Sequence, residues 1–393
     1  MRTPYSSIAS ILMSVLFLIA GNALLNTLVP LRGKFEGFSS VTLGLLGSVF
    51  FAGMLAGTLL SPAIIRRVGH VKAYGVFAAL AMIVAVTYPL AVDPTAWIIL
   101  RGMIGFAFAG LYAVIDGWVQ GKAENEYRGR LASAYQFVHF IAVAFGQTLL
   151  TFADPKTFSL FAIAGILFAL SIIPFSLSRT EPPALPETAK LDLRWLFTNA
   201  PVSAVAVTGI GAANGSFWSL APVFGASVGL TTAQIATFLT ATILGSAVAI
   251  WPIGRLSDRM DRRIVMAALM LAAGCVEMVL TIFGRLPGWG MGLLGFMLGT
   301  AAMTLFSVAS AHANDRAQAG QSVTIASGLL FLYSIGAIIG PSVAAMLMDR
   351  LGPQALFLFM ALVHGSMLAV TILRMKRRAP AAERKPSDTA LPL

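Results

Sequence analysis

Charged residues are scarce in this chain of 393 residues. Asp, Glu, Lys and Arg make up 11% of it and hydrophobic residues 58%, whereas a soluble domain carries about 25% charged residues. Because a chain with so few polar residues cannot hide its apolar surface from water, we predict that it lies in a lipid bilayer. Cysteine is scarcer still. The single Cys275 excludes an intrachain disulfide framework and any cysteine-rich metal site.

Signatures of nucleotide and hydrolytic chemistry are also missing. The sequence contains no P-loop, no nucleophile elbow and no H-E-x-x-H motif, so it provides no ATPase for transport and no clustered set for intramembrane catalysis. His312, Asn314 and Asp315 lie too close together, at a helix end, to form a metal site. We therefore predict neither an enzyme nor a bound cofactor or metal.

Apolar stretches long enough to cross a membrane dominate what remains. The hydrocarbon core is roughly 30 Å thick and needs about 20 residues per helical crossing. The alternation typical of barrel strands is absent, which favours helices. Twelve stretches qualify, at approximately 8–31, 40–64, 73–92, 96–119, 131–152, 157–178, 200–224, 232–254, 264–284, 288–311, 322–347 and 354–373.

Basic residues are concentrated on one side of this arrangement. The net charge of +11 by itself suggests nucleic acid, but the distribution follows the positive-inside rule instead. If the N-terminus is inside, the external loops hold only Arg32, Lys34, Lys156, Arg285 and Arg350. We therefore predict cytoplasmic termini and no nucleic-acid partner. The basic tail is expected to contact anionic lipid headgroups.

The sequence repeats itself after 192 residues. Residues 21–40 align without a gap with residues 213–232, and both segments carry an asparagine at the second position and hydroxyl residues suited to helix N-caps at the end. Near the same offset, "AFGQ" (144–147) aligns with "IIGP" (338–341). The repeat predicts two six-helix halves in the same orientation, a build in which substrate binds between the halves.

The predicted fold is an all-α membrane protein with twelve transmembrane helices in two pseudo-symmetric six-helix bundles. The expected bounds are an N-terminal bundle at 1–178, a cytoplasmic linker at 179–199, a C-terminal bundle at 200–373 and a basic cytoplasmic tail at 374–393. Leu193, Trp195 and their apolar neighbours predict a short helix at the end of the linker, lying in the headgroup layer.

The decapeptide "GRLSDRMDRR" (254–263) gathers six charges between two apolar stretches. Gly254 permits a close helix end, while Asp258, Arg259, Arg262 and Arg263 can pair with neighbouring helix ends. A topogenic role needs only the arginines. The alternating signs favour a cytoplasmic latch, an ion-pair set that forms in one state of the molecule and breaks in another.

This decapeptide resembles the loop signature G-x-L-x-D-R-x-G-R-R of the major facilitator superfamily, with Asp261 in place of the second glycine. The equivalent loop of the first half, "PAIIRRVGHVK" (62–72), keeps Arg67 and Gly69 but departs at the glycine and aspartate. "RGMIGFAFAG" (101–110) resembles the fourth-helix R-x-x-x-G signature. "VGHVKAYG", "IDGWVQ", "AHANDR" and "SGLLFLYSIGAIIGP" resemble the YcaD-like branch of bacterial facilitators.

The resemblance implies alternating access around a central cavity that the first, fourth, seventh and tenth helices line. It implies transport of a small solute, often coupled to protons, in the bacterial cytoplasmic (inner) membrane, and we expect a monomer. Asp315 and Arg316 of "AHANDR" would belong to the latch. The antiporter element G-P-x-x-G is absent from the fifth helix, which reads "AVAFGQTLL", and this weakens an antiporter interpretation.

Two charges inside the fourth predicted helix need a reason, because an intramembrane charge costs about 2.5–3.5 kcal/mol on insertion scales. Arg101 either binds an anionic group, shifts the proton affinity of an acid, or snorkels to the outer interface beside Trp97. Asp116 lies about 22 Å further along the helix. It either carries the coupling proton or accepts from Arg128 or Arg130 as a gate.

Several neutral polar residues are further candidates for the cavity. Asn22 and Asn26 share one face of the first helix, and Asn214 and Trp218 repeat that spacing in the seventh. They line the cavity or bond between helices, and Trp218 offers a flat face to a ring or a cation.

The fifth and ninth helices hold three more candidates. Gln136 and His139, with Gln147 further along the same helix, form a polar stripe that is expected to face water or a partner helix. The histidine either couples protons or is a packed, hydrogen-bonded ring. Glu277, in the ninth helix, is expected to be protonated or hydrogen-bonded away from the cavity.

These features predict a proton-coupled secondary transporter. The alternatives are drug-like efflux, facilitated diffusion, and a non-transporting membrane receptor or scaffold of the same fold.

Overall fold

A computed structural model of the chain describes residues 4–121, 128–177, 191–318 and 321–377. These ranges contain helices and turns and no strand. The helices are α1 Pro4–Phe35, α2 Ser40–Val68, α3 His70–Thr87, α4 Pro94–Gly121, α5 Arg128–Leu149, α6 Ser159–Ser176, α7 Leu193–Asn199, α8 Pro201–Ser227, α9 Thr232–Arg259, α10 Arg262–Phe283, α11 Gly290–Ala302, α12 Leu305–Asn314, α13 Ser322–Leu351 and α14 Ala355–Arg377.

The helices form two six-helix bundles, as the sequence predicts. Within the described ranges, ten helices are long and apolar enough to cross a membrane, or eleven if the bent pair α7–α8 counts as one span. The polar helix α5, with 22 residues, brings the total to twelve. The first bundle is α1–α6, and the second is α8–α14, in which α11 and α12 together make one crossing.

Two details differ from the expected spans. The stretch predicted as one helix over 288–311 is interrupted at Met303 and Thr304, where the Thr304 hydroxyl bonds to the carbonyl of Thr300 at 2.8 Å. Helix α14 continues to Arg377, beyond the predicted end at 373. Helix α7 corresponds to the short helix expected at the end of the linker. Residues 179–190 of that linker and 378–393 of the tail lie outside the described residues.

The sequence repeat is also a structural repeat. Ser39 caps α2 by accepting from the amide of Thr42, and Thr231 caps α9 by accepting from Gln234. The glycine two residues before each cap has a positive φ, 81° at position 37 and 76° at position 229. A side chain is strained in this conformation, so the same turn geometry requires glycine in both halves.

Close helix packing follows the same symmetry. A Cβ on Gly105 would collide with the backbone of Phe50, where α4 crosses α2. A Cβ on Gly299 would collide with Thr242, where α11 crosses α9. The offsets between these residues match the sequence repeat. Small residues allow the backbones of two helices to come close together. In lipid, where the hydrophobic effect does not drive helices together, this close van der Waals packing stabilises the contact.

Candidate functional site

A cavity of about 390 Å³ lies between the two bundles. Residues of α1, α2, α4 and α5 line it from the first bundle, and residues of α8, α9 and α13 and the α11–α12 break line it from the second. Its wall consists of Ile19, Asn22, Ala23, Asn26, Thr27, Phe50, Phe51, Met54, Arg101, Tyr112, His139, Phe140, Val143, Gln147, Trp218, Ser219, Ile243, Ser246, Met303 and Tyr333.

Five of the seven predicted cavity residues lie in this wall: Asn22, Asn26, Arg101, His139 and Trp218. Gln136 and Asn214 do not. The side chain of Gln136 is exposed, one helical turn before His139.

Asn214 is buried because α8 packs closely on α13 at this level. A Cβ on the adjacent Gly215 would lie 2.9 Å from the Cα of Ala337. Asn214 therefore does not line the cavity itself, but its side chain interacts with Tyr333, which does.

Arg101 is buried, with 3% of its surface exposed, so it does not snorkel to the membrane interface. Its guanidinium carbon lies 4.5 Å from the centroid of the Phe50 ring, a cation–π contact, and the Tyr88 hydroxyl is a neighbour. The indole nitrogen of Trp97 donates to the carbonyls of Tyr88 and Ala91 at 3.0 and 2.8 Å.

A polar series connects the cavity wall with Asp116. Asn26 donates to the side-chain oxygen of Asn22 at 3.1 Å, and Asn22 donates to the Tyr112 hydroxyl at 3.5 Å. Asp116 follows Tyr112 by one turn of α4 and interacts electrostatically with it and with Tyr135 of α5. The Asp116 side chain is exposed, so water can reach the carboxylate at this end of the series.

Several wall residues were missed from the sequence. Gln147 is buried and accepts from the Thr27 hydroxyl at 2.9 Å. Phe51 and Tyr333 belong to α2 and α13, which the resemblance did not assign to the cavity, whereas Met303 lies in the predicted tenth helix, which it did. The sequence placed Gln147 in the polar stripe of the fifth helix without assigning it to the cavity.

The cavity is closed at one end of the molecule. We call the end where α1 begins and α14 ends the termini face, and the end with the caps Ser39 and Thr231 the opposite face. Near the opposite face, the hydroxyls of Ser48 and Ser342 lie 2.7 Å apart. A Cβ on Gly44 would lie 2.6 Å from the carbonyl oxygen of Pro341. Helices α2 and α13 therefore seal the two bundles together there.

The predicted latch residues of the second bundle meet at the termini face. Arg262 contacts Asp258 at 3.0 Å, Asp315 at 2.6 Å and the Ser257 hydroxyl at 2.7 Å. These contacts join the ends of α9, α10 and α12, all within one bundle.

Further charges of this face have short-range contacts. Arg263 contacts Asp261 at 2.7 Å, and this hydrogen bond holds the pKa of the Asp261 carboxyl below its usual range. Arg316 contacts the His312 ring at 2.6 Å.

The remaining predicted gate and latch residues are spread over this face. Arg67 and Arg259 are exposed, and open space surrounds Gly254 rather than a close helix. Gly69 forms the turn between α2 and α3 with φ +83°. Arg128 and Arg130 begin α5, and their side chains lie outside the described part of the chain.

A buried polar pair lies apart from the cavity. Glu277 of α10 and His364 of α14 are both completely buried, and the Nδ1 atom of His364 lies 2.9 Å from a carboxylate oxygen of Glu277. The sequence predicts a hydrogen-bonded Glu277 but does not identify this partner.

Comparison with known proteins agrees with this architecture. Residues 11–208 and 203–392 each match the family model described as Major Facilitator Superfamily. An uncharacterised MFS-type transporter YcaD of Shigella flexneri serotype 5b (strain 8401) is 28% identical over 372 residues, 92% of this chain and 94% of the relative. An uncharacterised MFS-type transporter of Yersinia pestis (strain Pestoides F) is 26% identical over 93% of each chain.

Solved structures share the fold at lower identity. The nucleoside transporter NupG superposes with a TM-score of 0.76 at 14% identity, over 96% of this chain and all of the other. A bacterial homologue of the human lysosomal transporter Spinster, in an inward-facing and occupied conformation, gives 0.73 at 14% identity over 95% of both chains. Because the family matches cover both halves, this chain belongs to the major facilitator superfamily of transporters and is similar to its YcaD-type members.

Proposed function

We propose that the protein moves a small solute across a bacterial cytoplasmic membrane by alternating access and couples this movement to protons. The observation that carries the proposal is the cavity of about 390 Å³ between two repeated halves, sealed at the opposite face by α2 and α13. A site lined by both halves changes its access when one half rocks against the other. The bias of basic residues in the sequence supports a cytoplasmic termini face.

Asp116 is the proposed proton carrier. Its carboxylate is exposed near the termini face and neighbours Tyr112, which lines the cavity. The hydrogen bonds from Asn26 through Asn22 to Tyr112 connect it to the place where a solute would bind. Protonation of Asp116 would therefore remove a negative charge next to Tyr112, and Tyr112 is linked by hydrogen bonds to Asn22 and Asn26, which the solute would contact.

The first experiment is a thermal-stabilisation screen of the purified protein with small metabolites and drug-like compounds at about pH 5.5 and pH 7.5. A ligand at about 100 times its Kd stabilises by roughly 2.7 kcal/mol. Solutes that stabilise the protein are then added to proteoliposomes that contain a pH-sensitive dye. We expect at least one of them to drive proton movement with saturable kinetics.

Asp116→Asn separates coupling from binding. We expect this variant to retain solute binding within a few-fold and to lose solute-driven proton movement. The matched control is Asp349→Asn, which removes an exposed acid at the end of α13 and should leave both unchanged. Solute uptake without any proton signal in the unmodified protein would contradict the coupling, and binding without flux would contradict transport itself.

A further inference from the structure

Arg101 is a buried cation that contacts no acidic side chain among the residues that the structure describes. Its Nε and Nη1 atoms are shielded from solvent and have no hydrogen-bond partner among the described residues. The neighbouring groups, the Phe50 ring and the Tyr88 hydroxyl, are neutral. An uncompensated buried charge costs several kcal/mol, so the protein retains this arginine at the expense of its own stability.

The acids nearest along the same helix are too far away or already occupied. Asp93 precedes Arg101 by about 12 Å along the helix axis, and its carboxylate accepts from the amide of Ala96 at 2.9 Å. Asp116 follows it by about 22 Å. Of the described residues that line the cavity, none is an Asp or Glu, so Arg101 gives the wall one uncompensated positive charge.

The rest of the wall suits the uncharged part of a small molecule. Asn22, Asn26 and Gln147 provide amide donors and acceptors, and Trp218 provides a flat apolar face. The cavity volume lies near the small end of the range of roughly 300–1,000 Å³ found for small-molecule sites. A ligand with one acidic group would neutralise Arg101 and place its neutral remainder against these side chains.

We propose that the transported solute is a small organic anion whose single acidic group, such as a carboxylate, pairs with Arg101. This inference names the substrate class of the proposed transporter and rests on that function. A planar guanidinium binds a carboxylate through two parallel hydrogen bonds. Uncharged analogues of the same shape would leave the arginine unpaired and bind poorly.

The test compares acids with their own amides by thermal stabilisation of the purified protein. The probes are benzoate, nicotinate and propionate against benzamide, nicotinamide and propionamide, with methylphosphonate and methanesulfonate as other anions, all at one ionic strength. We expect at least one acid to stabilise the protein and its amide to have no effect. Equal effects of acid and amide, or no effect of any anion, would overturn the proposal.

Two substitutions at Arg101 assign the effect to this side chain. Arg101→Gln should weaken binding of the stabilising anion by about 30-fold or more, and Arg101→Lys should lose less because it keeps the charge. Arg350→Gln, which removes an exposed arginine at the end of α13, is the matched control. Anion binding that survives in Arg101→Gln would overturn the assignment.

The stability of the ligand-free variants provides a readout that does not depend on finding the right ligand. If Arg101 is held unpaired for an anion, Arg101→Gln should melt at the same temperature as the unmodified protein or higher. A large loss of stability would mean that Arg101 is a structural partner of Phe50 and Tyr88 and would overturn the proposal.

Proteoliposome measurements distinguish this inference from the proposed function. Flux driven only by neutral solutes, unchanged in Arg101→Gln, would overturn the anion site and leave the transporter standing. Anion binding that depends on Arg101 but never produces flux would support the anion site and overturn the proposed transport.

Discussion

At the scale of single residues, the buried pair of Glu277 and His364 is a stability feature of the second bundle. Both side chains are fully buried, and they join α10 to α14 at 2.9 Å. A polar group in apolar surroundings is costly unless it is hydrogen-bonded, so each residue makes the other tolerable.

Removing one partner should therefore cost more than removing both. We expect Glu277→Leu or His364→Leu alone to destabilise by about 1–3 kcal/mol, and the double variant to recover part of this loss. Thermal unfolding in detergent measures the cycle, with Met278→Leu, a partly exposed neighbour on α10, as control. Strictly additive losses would show that the two side chains do not support each other.

The turn between α9 and α10 should show a pH dependence of known sign. Asp261 caps α10 by accepting from the amide of Arg263 at 2.9 Å, and its side-chain bond to Arg263 lowers the pKa of its carboxyl. A lowered pKa in the folded state adds stability above the ordinary aspartate value of 3.8, and this contribution is lost as the pH falls through the folded value.

Asparagine can still cap α10 but cannot form the ion pair with Arg263, so Asp261→Asn should be less stable by up to about 1 kcal/mol near neutral pH. The difference from the unmodified protein should shrink below about pH 4. Melting curves over a pH series measure this, with Asp349→Asn as the exposed control. If the difference in stability does not change with pH, the charge of Asp261 is not the cause of the stability loss.

At the scale of helices, the contact between α2 and α13 decides whether the opposite face closes. Gly44 and Gly47 leave no room for a side chain next to Pro341 and Ser219. Interlocked contacts of this kind have discrete arrangements, so a bulky residue should disfavour the closed arrangement specifically.

Gly44→Leu should open the opposite face. Overpacking costs about 1–3 kcal/mol, and about 1.4 kcal/mol of this already shifts a population tenfold. In a Cys275→Ser background, Ser219→Cys should then react about tenfold faster with a maleimide added from the opposite face. Gly75→Leu is the control because open space surrounds Gly75. Unchanged labelling in Gly44→Leu would show that this contact does not control access.

At the scale of the whole molecule, alternating access requires the two bundles to separate at the face where they now meet. The hydroxyls of Ser48 and Ser342, one from each bundle, lie 2.7 Å apart. A covalent bond at this point would hold the opposite face closed while leaving each bundle intact.

Oxidation of a Ser48→Cys and Ser342→Cys pair in the Cys275→Ser background should therefore abolish transport of any solute identified in the screen, and reduction should restore it. The measurement is flux in proteoliposomes before and after a reducing agent, and each single cysteine variant serves as control. Full flux in the cross-linked protein would exclude rocking at this face as the transport motion.

How far the fold can be predicted from the sequence depends on the range of the interactions. Hydropathy indicates the spans because each crossing satisfies its own backbone and needs about 20 apolar residues. The repeat indicates the two bundles, and the caps Ser39 and Thr231 are local hydrogen bonds within one helix turn. The break between α11 and α12 has no such signal, because residues 288–311 contain no proline and no charged residue.

The candidate site could be predicted only in part, because some of its residues are positioned by contacts between distant helices. Helical spacing correctly grouped Asn22 with Asn26, but the burial of Asn214 behind the wall residue Tyr333 depends on how α8 packs on α13. The sequence grouped Arg262 with Asp315, and the structure joins them across 53 residues within one bundle, while their action as a latch stays a prediction.

Composition and periodicity therefore predict the membrane environment, the number of crossings and the duplicated halves, and the motifs resemble those of the family that the comparisons show. Three features became visible only in the folded protein: Arg101 lies in the cavity wall rather than at the interface, Glu277 pairs with His364, and α2 meets α13 at the opposite face. Each of these depends on which faces of distant helices meet, and close packing of many small residues determines this only when the whole molecule has assembled.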